Sequence, residues 1–258
     1  REDLLKSLVC AGLLVKTLSS SPSKNQKIKL KSIGVSASSI PISRNSLNIV
    51  HDIQTFIKIF FVYKKIRPDI VLSYTIKPVI WGGIASRFTK IDFYALITGL
   101  GFTFQGESFK RKLLTKLVTL LYKISLKNSK AVIFQNKDNR DIFVNKGIVP
   151  FSKTCIVNGS GVDIVKFNVI KFPKNDIRFL CISRLLGEKG LREYAEAARI
   201  VKDKFPNVEF DLVGSEDSSP DAISLSEVDN WADCINYRGP SSDVRKYIKE
   251  CHVYVLPS

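Results

Sequence analysis

Apolar positions recur along this chain with two alternating periods. Short continuous apolar runs, suited to strands of a buried parallel sheet, occur at Ile70–Tyr74, Phe93–Ile97 and Ala131–Phe134. Four more follow at Phe179–Ser183, Val208–Val213, Ile235–Arg238 and Val253–Leu256. Between them lie stretches with helical spacing: 1–11, Asp52–Ile66, 79–88, Phe109–Leu126, Asp138–Lys146, Leu191–Phe205, Ser224–Asp233 and Ser242–Glu250. Gly12 is a natural stop for the first helix, and Arg67-Pro68-Asp69 ends the second. Leu13–Leu18 reads as a strand, and 27–43 as a mixed stretch with a short strand near Ser39–Ile42. In Phe109–Leu126 the spacing turns Leu113, Leu114, Leu117, Leu120, Leu121 and Ile124 inward. Lys110, Arg111, Lys112, Lys116, Lys123 and Lys127 then crowd around the outside.

Strands alternating with helices throughout predict the α/β class, as two Rossmann-like, doubly wound parallel-sheet domains. A length of 258 residues suits two domains. The Gly-, Pro- and Asn-bearing segment 150–176 is the expected passage between them, with domains over 1–165 and 166–258. Ligands of such sheets bind beyond the carboxyl ends of the strands, so two facing domains make a cleft.

Charge divides the chain unevenly. Residues 1–150 carry 25 Lys/Arg against 8 Asp/Glu, whereas 151–258 carry 15 against 16. The whole excess of the +16 chain sits in the first half, which points there to a polyanionic partner such as lipid headgroups, a diphosphate or nucleic acid. At 45% hydrophobic and 25% charged the composition excludes disorder, collagen and a disulfide scaffold. The five cysteines are dispersed without a C-x-x-C pair, and His51 and His252 cannot complete a zinc site with them. No metal site is expected, and the thiols suit a reducing compartment. No run of 18 apolar residues occurs, so no membrane span is expected. The chain has no Met, opens mid-helix in character at Arg1-Glu2-Asp3 and closes on Val255-Leu256-Pro257-Ser258, so an internal fragment lacking both termini is expected.

Candidate chemistry lies in the turns that follow the strands. Arg184-Leu185-Leu186-Gly187-Glu188-Lys189-Gly190 follows one strand and opens a helix, and two cations at a helix start make a diphosphate clamp. By spacing alone it suits a solvated loop equally well, since neither a Walker pattern nor G-x-G-x-x-G is present. Gly214 and Arg238-Gly239 also follow strands, and Asn158-Gly159-Ser160-Gly161-Val162-Asp163 is as good a hinge as a ligand loop. In the first half, Ser73-Tyr74-Thr75-Ile76-Lys77-Pro78, Thr98-Gly99-Leu100-Gly101 and Asn136 follow strands.

The order of Thr75-Ile76-Lys77-Pro78, Gly99-Leu100-Gly101, Gly159-Ser160-Gly161-Val162-Asp163, Arg184…Lys189-Gly190, Gly214 and Val255-Leu256-Pro257-Ser258 resembles retaining GT-B glycosyltransferases of family four. Within that family it is most similar to bacterial N-acetylgalactosaminyltransferases that extend a saccharide on undecaprenyl diphosphate. The resemblance runs over essentially the whole chain and implies a role at each matching position. Arg184 and Lys189 hold the donor diphosphate and stabilise the departing nucleotide. Gly161, Gly214, Arg238 and Gly239 lie beside the UDP-sugar, the Arg238-Gly239 turn through its backbone. Thr75, Lys77, Gly99, Gly101 and Asn136 face the lipid-linked acceptor. The resemblance further implies retention of configuration, no cofactor and no divalent metal, the cations replacing it. No Asp-x-Asp run is present, and Glu209-Phe210-Asp211 lies within a predicted strand. The family's first strand falls before Arg1 and its glutamate pair beyond Ser258, so the chain as given is expected to be inactive alone. No catalytic base is assigned.

The basic helix 109–127 suits peripheral contact with an anionic membrane, on the inner, cytoplasmic face, as well as an ordinary core-facing role with a solvated lysine side. Two other classes compete with glycosyl transfer. A UDP-sugar 2-epimerase on the same scaffold wants carboxylates and His that the basic, His-poor first half lacks. A nucleic-acid binder wants aromatic residues alternating with basic ones in exposed loops, which are absent, so no nucleic-acid partner is expected.

Overall fold

The computed structural model describes residues 2–42, 49–99, 109–174, 176–219 and 221–258. They divide into two compact units, Arg1–Val162 and Asp163–Ser258.

Unit 1 runs α1 (Glu2–Cys10), β1 (Lys16–Ser19), α2 (Lys24–Ser32), β2 (Ser36–Ser39), α3 (Ile49–Ile66), β3 (Ile70–Tyr74) and α4 (Ile76–Thr89). It continues with β4 (Asp92–Ile97), α5 (Phe109–Leu126), β5 (Ala131–Phe134), α6 (Lys137–Asn145) and β6 (Thr154–Ile156). Strands β3-β4-β5-β6 form one all-parallel sheet, and β1 pairs with β2 in a second, parallel one. Each step from β3 to β6 crosses through one helix with the same hand, so α4, α5 and α6 share a face of the sheet. The core beneath them joins Phe93, Ile97, Tyr122, Phe134 and Phe143, with Tyr122 and Phe134 both edge-on to Phe143. Helix α4 lies between α3 and α5. It approaches α5 closely because position 83 is glycine: a Cβ there would stand 2.7 Å from the backbone oxygen of Ser125.

Three sequence expectations are corrected in this unit. Residues 24–32 are helical, although a mixed stretch was expected over 27–43. The helix has little apolar periodicity and no buried residue; its signal is a capping box, Gln26 N–H donating to Ser23 Oγ (3.2 Å) and Ser23 N–H to Gln26 Oε1 (2.9 Å). The neighbouring strand is Ser36–Ser39, earlier than expected. In α5, four of the six residues read as inward are exposed: Leu113, Leu117, Leu120 and Ile124. The core takes Val118, Tyr122 and Leu126, with Leu114 and Leu121 half-buried beside them. This helix carries two apolar stripes, and periodicity alone cannot say which one meets the sheet.

Unit 2 runs β7 (Arg178–Ile182), α7 (Leu191–Lys204), β8 (Glu209–Val213), α8 (Leu225–Asp229), β9 (Asn236–Tyr237), α9 (Arg245–Glu250) and β10 (Val253–Tyr254). The strands lie in the order β10-β7-β8-β9, all parallel. Phe179 stacks on Phe210 across β7 and β8, and Tyr194 of α7 packs edge-on to Phe210. Asp211, the acid of Glu209-Phe210-Asp211, is 2% exposed inside β8. A carboxylate is tolerable there because Arg178 Nη1 (3.0 Å) and Arg238 Nε (2.8 Å) both donate to it.

Candidate functional site

All four strands of unit 2 are parallel, so the loops that leave their carboxyl ends share one edge of the sheet. Those loops are 183–190 after β7, 214–219 after β8, Arg238-Gly239 after β9 and 255–258 after β10. The expected donor residues Arg184, Lys189, Gly214, Arg238 and Gly239 are therefore brought to one side.

The first two loops are laced together by backbone. Ser183 N–H donates to the Val213 carbonyl (2.9 Å), Leu185 N–H to that of Ser215 (3.0 Å) and Gly214 N–H to that of Gly239 (3.0 Å). Gly214 is required by this approach: a Cβ would lie 1.7 Å from the Ser183 oxygen. Its own carbonyl accepts from the Tyr237 hydroxyl (2.8 Å).

Arg184 stands at the carboxyl end of β7 with its side chain 57% exposed and its guanidinium donating to Asp217. Asp217 is itself fixed. The Ser219 hydroxyl and backbone N–H donate to it, and together with Arg184 they hold its carboxyl below the usual range. The guanidinium is thus aimed by one carboxylate while most of its surface stays open to a ligand.

Beyond it, Gly187–Lys189 form a single 3-10 turn that leads into α7. Asp221 spans this turn: its carboxylate accepts from Glu188 N–H (2.6 Å) and its carbonyl from Gly187 N–H (2.9 Å). Lys189 is 35% exposed, with Glu188 at 3.9 Å. Gly190 has φ +67° and is pressed by the last loop, so that a Cβ would meet Pro257 at 2.7 Å. Asp217 and Asp221 are the residues that sequence reasoning missed. They lie about thirty residues from the groups they hold, the Arg184 guanidinium and the backbone of the 187–189 turn, and nothing local marks them.

Arg238 sends its side chain inward to Asp211, leaving the backbone of the Arg238-Gly239 turn as what it offers outward. Gly239 has φ +68° with open space around its Cβ position.

In unit 1 the parallel strands β3, β4, β5 and β6 again send their carboxyl-end loops to one edge. Thr75 follows β3 and takes φ +67°, a left-handed conformation costly for a β-branched residue, just before α4 begins. Lys77 Nζ lies 2.7 Å from Asp52 Oδ1 of α3, with both side chains largely shielded. Gly99 follows β4 and is exposed; Gly101 lies outside the described residues. Asn136 follows β5 and caps α6, its Oδ1 accepting from Asn139 N–H (2.8 Å). Next to it, Gln135 Nε2 donates to Ser160 Oγ (3.2 Å), tying this loop to the glycine-rich one in which Gly161 has φ +71°. Asp163, the acid of that motif, turns back onto Val165 and Lys166 N–H and the Lys166 ammonium.

The cap has a measurable weight. Asn136→Ala should lower the unfolding free energy by about 1 kcal/mol, whereas Asn136→Asp, an equally good cap, should leave it nearly unchanged. Urea unfolding of the three proteins checks this.

Among the described residues no three or more His, Cys, Asp or Glu side chains gather as a metal site, and no helix is long and apolar enough to cross a membrane.

An N,N'-diacetylbacillosaminyl-diphospho-undecaprenol alpha-1,3-N-acetylgalactosaminyltransferase of Campylobacter jejuni is 30% identical over 244 residues, covering 89% of this chain and 63% of its own length. A UDP-Gal:alpha-D-GlcNAc-diphosphoundecaprenol alpha-1,3-galactosyltransferase of Escherichia coli is 25% identical over 233 residues, covering 85% and 59%. The chain thus spans about three fifths of these relatives. A crystal structure of a glycosyltransferase from Rickettsia africae superposes with a TM-score of 0.69 at 17% identity, over 99% of this chain and 68% of that one, which shows the shared GT-B fold. Residues 3–136 match the family described as "Glycosyl transferase 4-like", and 176–258 match "Glycosyl transferases group 1". With the first match alone covering more than half of its length, the chain belongs to the glycosyl transferase 4-like and group 1 family of glycosyltransferases.

Proposed function

We propose that this protein transfers a hexose or hexosamine from a UDP-sugar to a saccharide carried on a polyprenyl diphosphate, with retention of configuration, in the assembly of a surface polysaccharide or glycan. The observation that carries the reading is the pair of accessible cations, Arg184 and Lys189, at the carboxyl edge of unit 2's sheet. The names of the two relatives supply the substrate class: both act on an undecaprenol-linked diphosphate saccharide, and one takes UDP-Gal.

The chemistry follows from the charges. Breaking the bond between the sugar's anomeric carbon and the diphosphate oxygen leaves negative charge on UDP. A guanidinium pre-aimed by Asp217 and an ammonium on the same edge stabilise that charge without reorganising. In this reading they replace a divalent metal, and no cofactor takes part. The backbone of Gly214 and of the Arg238-Gly239 turn, with Gly161, lies along the nucleotide-sugar. The unit 1 loops at Thr75, Lys77, Gly99, Gly101 and Asn136 receive the acceptor. Retention follows if the acceptor hydroxyl enters on the face that UDP leaves, its proton passing to the departing phosphate.

The test is transfer by the purified full-length protein from a panel of radiolabelled UDP-sugars to polyprenyl-diphosphate mono- and disaccharides in detergent. A labelled, chain-extended lipid with one donor is the expected result. No transfer from any donor to any such acceptor overturns the reading.

A further inference from the structure

The two cations at the carboxyl edge of unit 2 are aimed by different means. Arg184 is steered through its side chain, whose guanidinium donates to Asp217. For Lys189 the paired carboxylate, that of its neighbour Glu188, stands at 3.9 Å, too far for a hydrogen bond. A lysine ammonium rides on a flexible four-carbon stem. Its place is therefore set by where the backbone holds its Cα.

That backbone is zipped to residues 221–223. Leu186 bridges Ala222 in antiparallel fashion, Ile223 N–H donates to the Leu185 carbonyl (3.0 Å) and Gly187 N–H to that of Asp221 (2.9 Å). Leu185, Leu186 and Ile223 are buried, which fixes the root of the zip. At its tip the Asp221 carboxylate accepts from Glu188 N–H at 2.6 Å, one residue before Lys189. A carboxylate receiving a backbone N–H makes a short, charge-assisted bond. Glycine at 187 leaves room for this contact: a Cβ there would stand 2.6 Å from Asp221 Oδ1 and 2.9 Å from Arg192 Nη1. Arg192 is itself held by Glu227 through two bonds, of 2.5 and 3.0 Å. Pro257 closes the other end of the turn against Gly190.

We propose that Asp221 is the positioning residue of Lys189. By pinning the 187–189 turn it sets, before any ligand arrives, where the ammonium meets the diphosphate of a uridine nucleotide. A turn already ordered spares the ligand the cost of ordering it. The benefit falls on the charged part of the nucleotide, because uridine offers the ammonium no anionic group. Asp221 touches no ligand itself and acts through Lys189. The inference deepens the UDP-sugar reading of this edge and rests on it.

Nucleotide binding to the full-length protein tests it, with UDP followed by titration calorimetry and uridine by ligand-detected NMR. Asp221→Ala should weaken UDP binding about tenfold and leave uridine unchanged. Gly187→Ala, which displaces the same carboxylate from the opposite side, should do likewise. Asp221→Asn keeps an oxygen for Glu188 N–H and should stay within about threefold of wild type. Asp221→Ala combined with Lys189→Met should bind UDP no more weakly than Lys189→Met alone. Circular dichroism and the unfolding midpoint verify the fold of each variant. The proposal is overturned by UDP affinity that Asp221→Ala leaves unaltered, by equal losses for UDP and uridine, or by losses that add in the double variant. The transfer assay is scored separately. The expected binding pattern without transfer to any lipid-linked acceptor would keep Asp221 in its role and sink the proposed reaction, whereas absence of UDP binding sinks both.

Discussion

Arg184→Ala should lower the turnover of sugar transfer by about two to three orders of magnitude, the loss expected when one preorganised donor to a developing anion is removed. Its guanidinium is exposed, and the shielded Asp217 carboxylate it leaves keeps the Ser219 hydroxyl and N–H as donors, so the substitution should not unfold unit 2. Steady-state kinetics at saturating acceptor measure the effect, and an unchanged unfolding midpoint excludes a folding origin. Arg184→Lys keeps the charge but loses the planar fork, and should fall between wild type and alanine. Asp217→Asn removes only the residue that aims the guanidinium, so a smaller loss, about tenfold, is expected. A turnover for Arg184→Ala within a few-fold of wild type would remove Arg184 from the chemistry.

Gly214→Ala should be the most damaging single substitution for the fold of unit 2. The added Cβ would stand 1.7 Å from the Ser183 carbonyl oxygen and 2.8 Å from its carbon, and backbone cannot rotate aside as a flexible side chain would. The β7 and β8 loops must separate, at the cost of the bonds from Ser183 N–H to Val213 and from Leu185 N–H to Ser215. Overpacking of this kind costs about 1–3 kcal/mol and occasionally more. For a unit of this size that lowers the melting midpoint by on the order of 10 °C. Because Ser183 adjoins Arg184, transfer should fall as well, even below the melting temperature. Differential scanning calorimetry separates this from Gly239→Ala, whose Cβ would meet open space and whose only strain is the left-handed φ of +68°. If the two variants melt together, close approach is not what requires glycine at 214.

The strand-end positions of the candidate residues are legible in the sequence because they are local, whereas the roles proposed for them come from the family resemblance. A strand followed by a helix shows its period in a dozen residues, and the turn between them names itself. Arg184, Lys189, Gly214 and Gly239 declare themselves that way, as strand-end residues, whereas the edge their loops share is a property of the folded sheet. Arg238 was read for its backbone, and its side chain's commitment to Asp211 depends on a partner 27 residues away in sequence. Asp217 and Asp221 had no local mark at all. In unit 1, Thr75 and Asn136 stood out by position, yet the +67° φ of the one and the capping bond of the other are properties of the folded loop.

Periodicity and turn chemistry established the α/β class of this protein, the alternation of its elements and the strand-end positions of its cations, each from residues a few positions apart, and a count along the chain confined its positive charge to one half. The tertiary structure decided which carboxylates hold those cations, why residue 214 must be glycine, and which stripe of α5 is buried. The reason is physical. Helical spacing tells which side chains share a face, but the sheet beneath α5 chose Tyr122 and left Leu117 outside, and that choice is made only when distant segments pack.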